Sequence, residues 1–215
     1  MAFRLHNFFR SGTSHRLRIA LNLKGLPYDY VPVNLPKLEH QSAAYKAIQP
    51  QGLVPALVDG DTALIQSPAI IEWLEETHPA PPLLPADPLS RARVRALAAI
   101  VGCDIHPLNN RRVLETLRHS LSCDEAAVTR WCESWIVEGF DACETLLAAD
   151  PQRSAGFSWG HAPTLADVYL VPQVESARRF KVDITRWPRI AEIDATCGRL
   201  DAFARAAPAL QPDAP

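Results

Sequence analysis

The chain has no surplus of positive charge: 22 Lys and Arg stand against 24 Asp and Glu in 215 residues, a formal net charge of -2. Nothing is left over to neutralise a run of phosphates, so a general nucleic-acid binder is excluded and any basic site must be local. No run of about 18 uncharged apolar residues occurs, and the opening, Met1-Ala2-Phe3-Arg4-Leu5-His6, lacks an apolar stretch followed by a small-residue cleavage site. The expectation is a soluble, cytoplasmic protein with no membrane partner. Cys103, Cys123, Cys132, Cys143 and Cys197 are odd in number, widely spaced and contain no C-x-x-C pair. That pattern indicates neither a disulfide framework nor a zinc knuckle, and reduced, mostly buried thiols are expected instead. No H-E-x-x-H is present, and Cys103, Asp104 and His106 on one turn supply too few ligands, so no metal is expected. Internal repeats are absent. The one compositional oddity besides a proline-rich tract is the tail, residues 208–215, expected to be loosely ordered.

What the chain does have is enough apolar material for a core, with 47% hydrophobic and 21% charged residues, and a length that fits two domains. Five prolines crowd into Pro79-Ala80-Pro81-Pro82-Leu83-Leu84-Pro85-Ala86-Asp87-Pro88, where neither a helix nor a central strand can persist, and a linker is placed there. Upstream, strands are expected near Phe3–Asn7, Tyr28–Val33, Ala56–Val58 and Ala63–Ile65. Helices are expected over Ser14–Lys24, around His40–Ile48 and from Ser67 to about Thr77. The order βαβαββα fits one sheet covered by helices. Downstream, Ser90–His119, Asp124–Ala149 and Leu165–Phe180 carry apolar residues at helical spacing and no alternating run, so this part is all-helical. Thr164-Leu165-Ala166-Asp167 fits a capping box, with Asp167 in place of the usual Glu or Gln. The division expected is residues 1–80, a linker over 81–90, and 91–215.

Three places in the first part could carry chemistry. Arg10-Ser11-Gly12-Thr13-Ser14-His15-Arg16 joins the first strand to the first helix, where free backbone N–H groups and the helix dipole favour an anion. Gly12 permits close approach, and the Ser11 and Thr13 hydroxyls could lower a thiol pKa; an ordinary N-cap by Thr13 or Ser14 is the plainer reading. Val54-Pro55, just before a strand, is a candidate cis-proline turn. Gln66-Ser67-Pro68 reads as a helix start with Ser67 as N-cap and Pro68 at the first helical position.

Together these stretches resemble the zeta class of the glutathione transferase superfamily. The resemblance spans nearly the whole chain and rests on Phe9-Arg10-Ser11-Gly12-Thr13-Ser14-His15-Arg16-Leu17-Arg18-Ile19-Ala20-Leu21, Leu64-Ile65-Gln66-Ser67-Pro68-Ala69-Ile70-Ile71-Glu72-Trp73-Leu74-Glu75-Glu76 and Leu170-Val171-Pro172-Gln173-Val174. It implies a thioredoxin-like α/β domain that binds glutathione and a helical domain on the substrate side. Ser11 would activate the glutathione thiol, Val54 with cis-Pro55 would pair with the peptide's cysteinyl backbone, and Gln66 and Ser67 would hold its γ-glutamyl end. Gly12, Thr13 and His40 are counted with them on the cofactor side. One departure from the eukaryotic pattern is informative: Gly12-Thr13 stand where a Ser-Cys pair is usual, so the family cysteine is absent, which speaks against a role for a protein cysteine and looks like bacterial maleylpyruvate isomerases of this class.

Arginine makes up 18 of the 22 basic residues, in groups at Arg10, Arg16 and Arg18, at Arg111-Arg112, and at Arg178-Arg179. Its planar fork suits carboxylates, although a solvated helix face is the usual fate of such a pair. The resemblance assigns Arg10 and Arg179 to the electrophile pocket. His106-Pro107-Leu108-Asn109-Asn110-Arg111-Arg112 is a polar break in an apolar helical stretch, where Pro107 should interrupt the helix. His106 and Asn110 are assigned to the glutathione side and Arg111 to the substrate side, with a His106 satisfied in the core as the competing reading.

The function these implications add up to is glutathione-dependent cis–trans isomerisation of a maleyl diacid, maleylpyruvate or maleylacetoacetate, in the breakdown of aromatic compounds. Nucleophilic addition would turn the double bond into a single bond free to rotate, and Arg10 would act catalytically with Ser11. The family resemblance also implies a homodimer. A detoxifying transferase or peroxidase, and a non-catalytic ligand-binding module of the same fold, are the alternatives.

Overall fold

Alternation sets the first strand. In β1 (Phe3–Asn7) the side chains of Phe3, Leu5 and Asn7 are buried while Arg4 is exposed, the period of a strand with one covered face. The computed structural model describes residues 2–153 and 156–215, and by contact they fall into two units, Met1–Pro82 with Arg199–Pro215, and Leu83–Gly198.

In the first unit, β1 is followed by α1 (Gly12–Leu23), β2 (Tyr28–Pro32), α2 (Ala43–Ile48), β3 (Ala56–Asp59), β4 (Thr62–Ile65) and α3 (Ser67–Thr77), the βαβαββα order expected. The sheet runs β2-β1-β3-β4. β1 and β2 are parallel with Leu5 opposite Tyr30, which requires a crossover that α1 supplies. β3 pairs antiparallel with both β1 and β4, placing Leu57 opposite Leu5 and Leu64. α1 is buried from Ser14 to Leu21, all round its circumference, as a helix packed on several sides must be. Its C-terminal end is tied down by Lys24, whose Nζ lies 2.8 Å from Glu75 Oε2 and donates to the carbonyls of His78 and Pro81 at 2.7 and 3.1 Å. The helix expected around His40–Ile48 is divided: a 3-10 turn covers Glu39–Gln41, and Ser42 caps α2 by accepting from Tyr45 N–H at 3.2 Å.

The second unit contains α4 (Pro88–Ala99), a π-helical turn (Ile100–Ile105), α5 (Arg111–His119), α6 (Glu125–Ala149), α7 (Leu165–Arg179) and α8 (Pro188–Cys197). The chain leaves the helix around Pro107, as that proline requires. Gly139 on α6 makes room for the π turn, since a Cβ there would sit 2.3 Å from Ile105 Cδ1. At the start of α7, Asp167 reaches back to the Thr164 N–H at 2.7 Å and also accepts from the Thr164 hydroxyl and the Ser158 N–H. Burial raises the Asp167 pKa, and these donors oppose the shift. Trp187, 2% exposed, packs edge-on against Phe140 and donates to Asp141 Oδ1 at 2.7 Å. Cys132, Cys143 and Cys197 are buried, and burial pushes the first two thiols up to about 11 and 12.

Two further features depart from expectation. Helix α8 lies in a stretch to which the sequence pattern assigned no element. The tail is ordered and belongs with the first unit, not with the helical one: α9 (Asp201–Ala204) packs against α1, and Asn22 and Arg18 donate to the carbonyls of Ala202 and Ala206. The cause is long-range. The tail is rich in Ala and Pro and lacks a periodic apolar face, so its order comes from distant parts of the chain: α1 side chains reach its backbone, Phe203 and Ala206 are buried, and Asp213 accepts from the Phe9 N–H and the Tyr30 hydroxyl.

Candidate active site

Ser11 is the residue that opens α1. Its backbone is extended (φ -70°, ψ 122°), and its Oγ accepts from the Ser14 N–H at 3.2 Å, so the cap falls earlier than at Thr13 or Ser14 and Gly12 becomes the first helical residue. Ser11 Oγ also lies 2.9 Å from Thr13 Oγ1, which in turn donates to the Val54 carbonyl at 2.9 Å. A hydroxyl carries one proton and a carbonyl carries none to give. Thr13 therefore donates to Val54, and Ser11 donates to Thr13. This chain of hydroxyls stands at the positive end of α1. Arg10, immediately before it, is exposed, its guanidinium carbon 6.0 Å from the centre of the Phe9 ring. His15 is buried beneath; burial first, then Arg18 and Arg16, lower its pKa to about 3, so it is neutral at pH 7.

The Val54-Pro55 bond is cis, as expected. The loop ahead of it is pinned by Tyr45, whose hydroxyl donates to the Leu53 carbonyl at 2.6 Å, and by Gln49, whose Oε1 accepts from Leu53 N–H at 3.3 Å. Gly52 adopts φ 63°, where a Cβ would lie 2.8 Å from the His40 carbonyl oxygen. His40 is thus brought, buried, to the back of this loop.

At α3 the cap is Gln66, not Ser67. Gln66 holds φ 67° and ψ 109°, a region a side-chain-bearing residue seldom occupies, and such residues concentrate where function over-determines the backbone. Its Nε2 donates to Gln51 Oε1, which links α3 to the cis-proline loop. Ser67 becomes the first helical residue and Pro68 the second; the Ser67 hydroxyl is buried and has no hydrogen-bond partner among the described residues.

The remaining assigned residues belong to the second unit. His106 is half-buried at the end of the π turn. Asn110 caps α5, its Oδ1 accepting from Arg112 N–H at 3.1 Å. Arg111 opens α5, exposed, with its Nε 3.9 Å from Glu115. Arg179 ends α7, exposed, with its Nη2 donating to Ser176 Oγ at 3.1 Å and its guanidinium 5.3 Å from the Phe180 ring centre. Its neighbour Arg178 forms an ion pair with Asp194 on α8. The group Arg10, Arg16 and Arg18 does not stay together as one patch: Arg16 and Arg18 are buried at 2% and 0% exposure. Among the described residues no set of three or more His, Cys, Asp and Glu could hold a metal.

Residues 10–77, which include the Ser11 cap, the cis-proline loop and the Gln66-Ser67 turn, match the family model of the glutathione S-transferase N-terminal domain. A maleylpyruvate isomerase from Ralstonia sp is 67% identical over 98% of this chain and 99% of that protein. The holo structure of a maleyl pyruvate isomerase, described as a bacterial glutathione S-transferase in zeta class, superimposes with a TM-score of 0.97 at 66% identity, covering 99% of this chain and 100% of that one. The chain belongs to the zeta class of the glutathione transferase family. A maleylacetoacetate isomerase from Methylobacterium extorquens AM1, solved with bound malonate and GSH, has a TM-score of 0.94 at 38% identity over 99% of both chains.

For a zeta-class chain, the Gly12-Thr13 departure now has a physical content. The residue at 13 supplies a hydroxyl that bridges the α1 cap to the Val54 carbonyl, a contact that needs a good donor at short range. The sequence reading missed the supports of the cis-proline loop, Tyr45, Gln49, Gln51 and Gly52. Pro50 and Gly52 flanking Gln51 were the available signal, since that punctuation marks a tight turn.

Proposed function

We propose that this chain is a glutathione-dependent cis–trans isomerase of a maleyl diacid, with Ser11 at the reacting thiol. The observation that carries the reading is the hydrogen-bonded set Ser11, Thr13 and Val54 at the N-terminus of α1. The residues suit the tripeptide cofactor: Ser67 keeps a buried hydroxyl without a partner among the described residues, beside the Gln66 turn and at a helix N-terminus that favours a carboxylate. When bound, glutathione supplies a sulfur nucleophile able to add to, and leave, a carbon–carbon double bond.

The chain's own groups do the rest. The first-turn N–H groups of α1 and the Ser11 hydroxyl favour a negative sulfur. For Ser11 to donate there its proton turns away from Thr13, and the Thr13 proton can turn from Val54 to the Ser11 oxygen, which goes on accepting from the Ser14 N–H as the cap. Val54 and cis-Pro55 offer an extended edge to the cysteinyl backbone, and Gln66 and Ser67 hold the γ-glutamyl group, with His40, Gly12, His106 and Asn110 on the cofactor side. Arg10, exposed and next to Ser11, binds a carboxylate and stabilises the negative charge that grows on the substrate carbonyl oxygen. Arg111 and Arg179 take the diacid's carboxylates.

The diacid is maleylpyruvate or maleylacetoacetate, and the 67% identity to a maleylpyruvate isomerase makes maleylpyruvate the first to assay. The enzyme works in the cytoplasm as a homodimer, an assignment resting on family resemblance; no helix among the described residues is long and apolar enough to cross a membrane. The test is turnover of each diacid by the purified chain with and without glutathione. Fumaryl product that forms only with glutathione supports the reading. Equal rates without it, or no product from either diacid, count against it.

A further inference from the structure

Both polar groups of Phe9, the residue before Arg10, are held by side chains that do not belong to the Phe8–Ser11 turn. The Phe9 N–H donates to Asp213 Oδ2 at 3.1 Å, and the Phe9 carbonyl accepts from Arg18 Nη2 at 2.9 Å. The other oxygen of Asp213 accepts from the Tyr30 hydroxyl on β2. Arg18, fully buried, also donates to Asn7 Oδ1 at 2.9 Å and to the tail carbonyl of Ala206 at 3.0 Å. Ser11 N–H then closes the turn on the Phe8 carbonyl at 3.0 Å.

The tail that delivers Asp213 is itself folded. Gln211 Nε2 donates to the carbonyls of Arg205 and Ala207, both at 2.8 Å, and Ala214 N–H returns to the Gln211 carbonyl at 3.0 Å. Charge agrees with geometry: burial lowers the Arg18 pKa to about 10, while Tyr30, Tyr28 and Asp213 pull the other way. The Asp213 carboxylate is thus the counter-ion near a buried guanidinium and the acceptor of a backbone N–H in the turn that carries Arg10 and Ser11.

We propose that Asp213 is a positioning residue: the C-terminal tail sets the backbone of Phe8–Ser11, and through it the placement of Arg10 and the Ser11 hydroxyl. The functional consequence rests on the isomerase reading. A carboxylate bond to a backbone N–H is among the stronger hydrogen bonds, and without it Phe9 N–H must turn toward water and carry the adjoining turn with it. Small displacements of catalytic groups cost far more in rate than in stability.

The experiment compares full-length wild type with Asp213→Ala, Asp213→Asn and Tyr30→Phe. It reads three quantities: hydrogen exchange of the Phe9 amide, the pH at which the thiol of bound glutathione ionises, followed by thiolate absorbance, and kcat. Asp213→Ala should exchange at Phe9 roughly tenfold faster or more, raise the pH of thiol ionisation, and lower kcat by roughly tenfold to a hundredfold, with glutathione affinity nearly unchanged. Asp213→Asn keeps an acceptor oxygen in place and should recover most of the loss. Tyr30→Phe should move the same readings less, and it decides the matter if Asp213→Ala does not fold. Lower thermal stability with Phe9 exchange and thiol ionisation as in wild type overturns the proposal. Faster exchange with unchanged thiol ionisation and unchanged kcat overturns it too. A wild type that turns over neither diacid counts against the isomerase reading alone, and exchange with thiol ionisation then decides the role of Asp213.

Discussion

Thr13 Oγ1 donates to the carbonyl of Val54 at 2.9 Å, joining the first turn of α1 to the cis-proline loop across 41 positions of sequence. While that proton rests on Val54, Ser11 donates to Thr13, and the direction of the chain follows from one carbonyl.

Thr13→Val keeps the shape and removes the hydroxyl. It should raise the pH at which bound glutathione ionises and lower kcat, while Thr13→Ser, which restores the donor, should return both toward wild type. Thiolate absorbance against pH checks this. Equal behaviour of the Val and Ser variants would show that the hydroxyl does not matter.

Ser11→Ala should retain glutathione binding and lose most isomerase activity, since the hydroxyl acts on the sulfur more than on the peptide backbone. Loss of the cap itself should cost about 1 kcal/mol of stability, small enough for the variant to fold. Calorimetric binding together with steady-state rates tests it. Turnover at the wild-type level would leave activation to Thr13 and the helix amides.

How much of this could be read beforehand depended on range. β1 and α3 fall where the sequence pattern and the Gln66-Ser67-Pro68 start place them, because those signals are local. The Ser11 cap was less legible: Ser11, Thr13 and Ser14 are all competent caps, and only the three-dimensional path of the β1–α1 turn selects one. Ser67 was displaced from its cap by the unusual φ of Gln66, which sequence does not encode in any simple pattern. In sequence Arg18 reads as part of a surface cluster, since arginine is mostly exposed; its burial depends on acceptors at Asn7 and Phe9 and on one carbonyl of the tail, Ala206, at the far end of the chain.

Arg179→Ala should raise KM for the diacid by an order of magnitude or more, on a charge-assisted contact of roughly 1.5–3 kcal/mol. Arg178→Ala should leave KM alone, because Arg178 is engaged by Asp194 and lies about 100° round α7. That surface pair should also contribute little stability. Steady-state kinetics on both variants decides it, and a larger effect from Arg178→Ala would reverse the assignment.

The stability of the protein should fall between about pH 6.5 and pH 3 through His15. Its folded pKa of about 3 lies below the 6.5 of an unfolded histidine, so across that window the unfolded chain binds a proton that the native chain refuses. The contribution is fully present above 6.5 and declines as pH drops. His6, also lowered by burial and by Arg4, acts in the same direction. Urea midpoints of wild type and His15→Gln at pH 7 and pH 4.5 test this: the variant should lose less on acidification, and equal losses would contradict it.

An isomerase of this kind uses glutathione and returns it. The most direct measurement is the glutathione balance during turnover: a small, fixed amount of glutathione, a large excess of maleylpyruvate, and quantification of fumaryl product and free glutathione at completion. Many equivalents of product should form per glutathione, with the free thiol recovered in full. Product limited to one equivalent, with the thiol converted into a stable conjugate, would make the chain a transferase and contradict it.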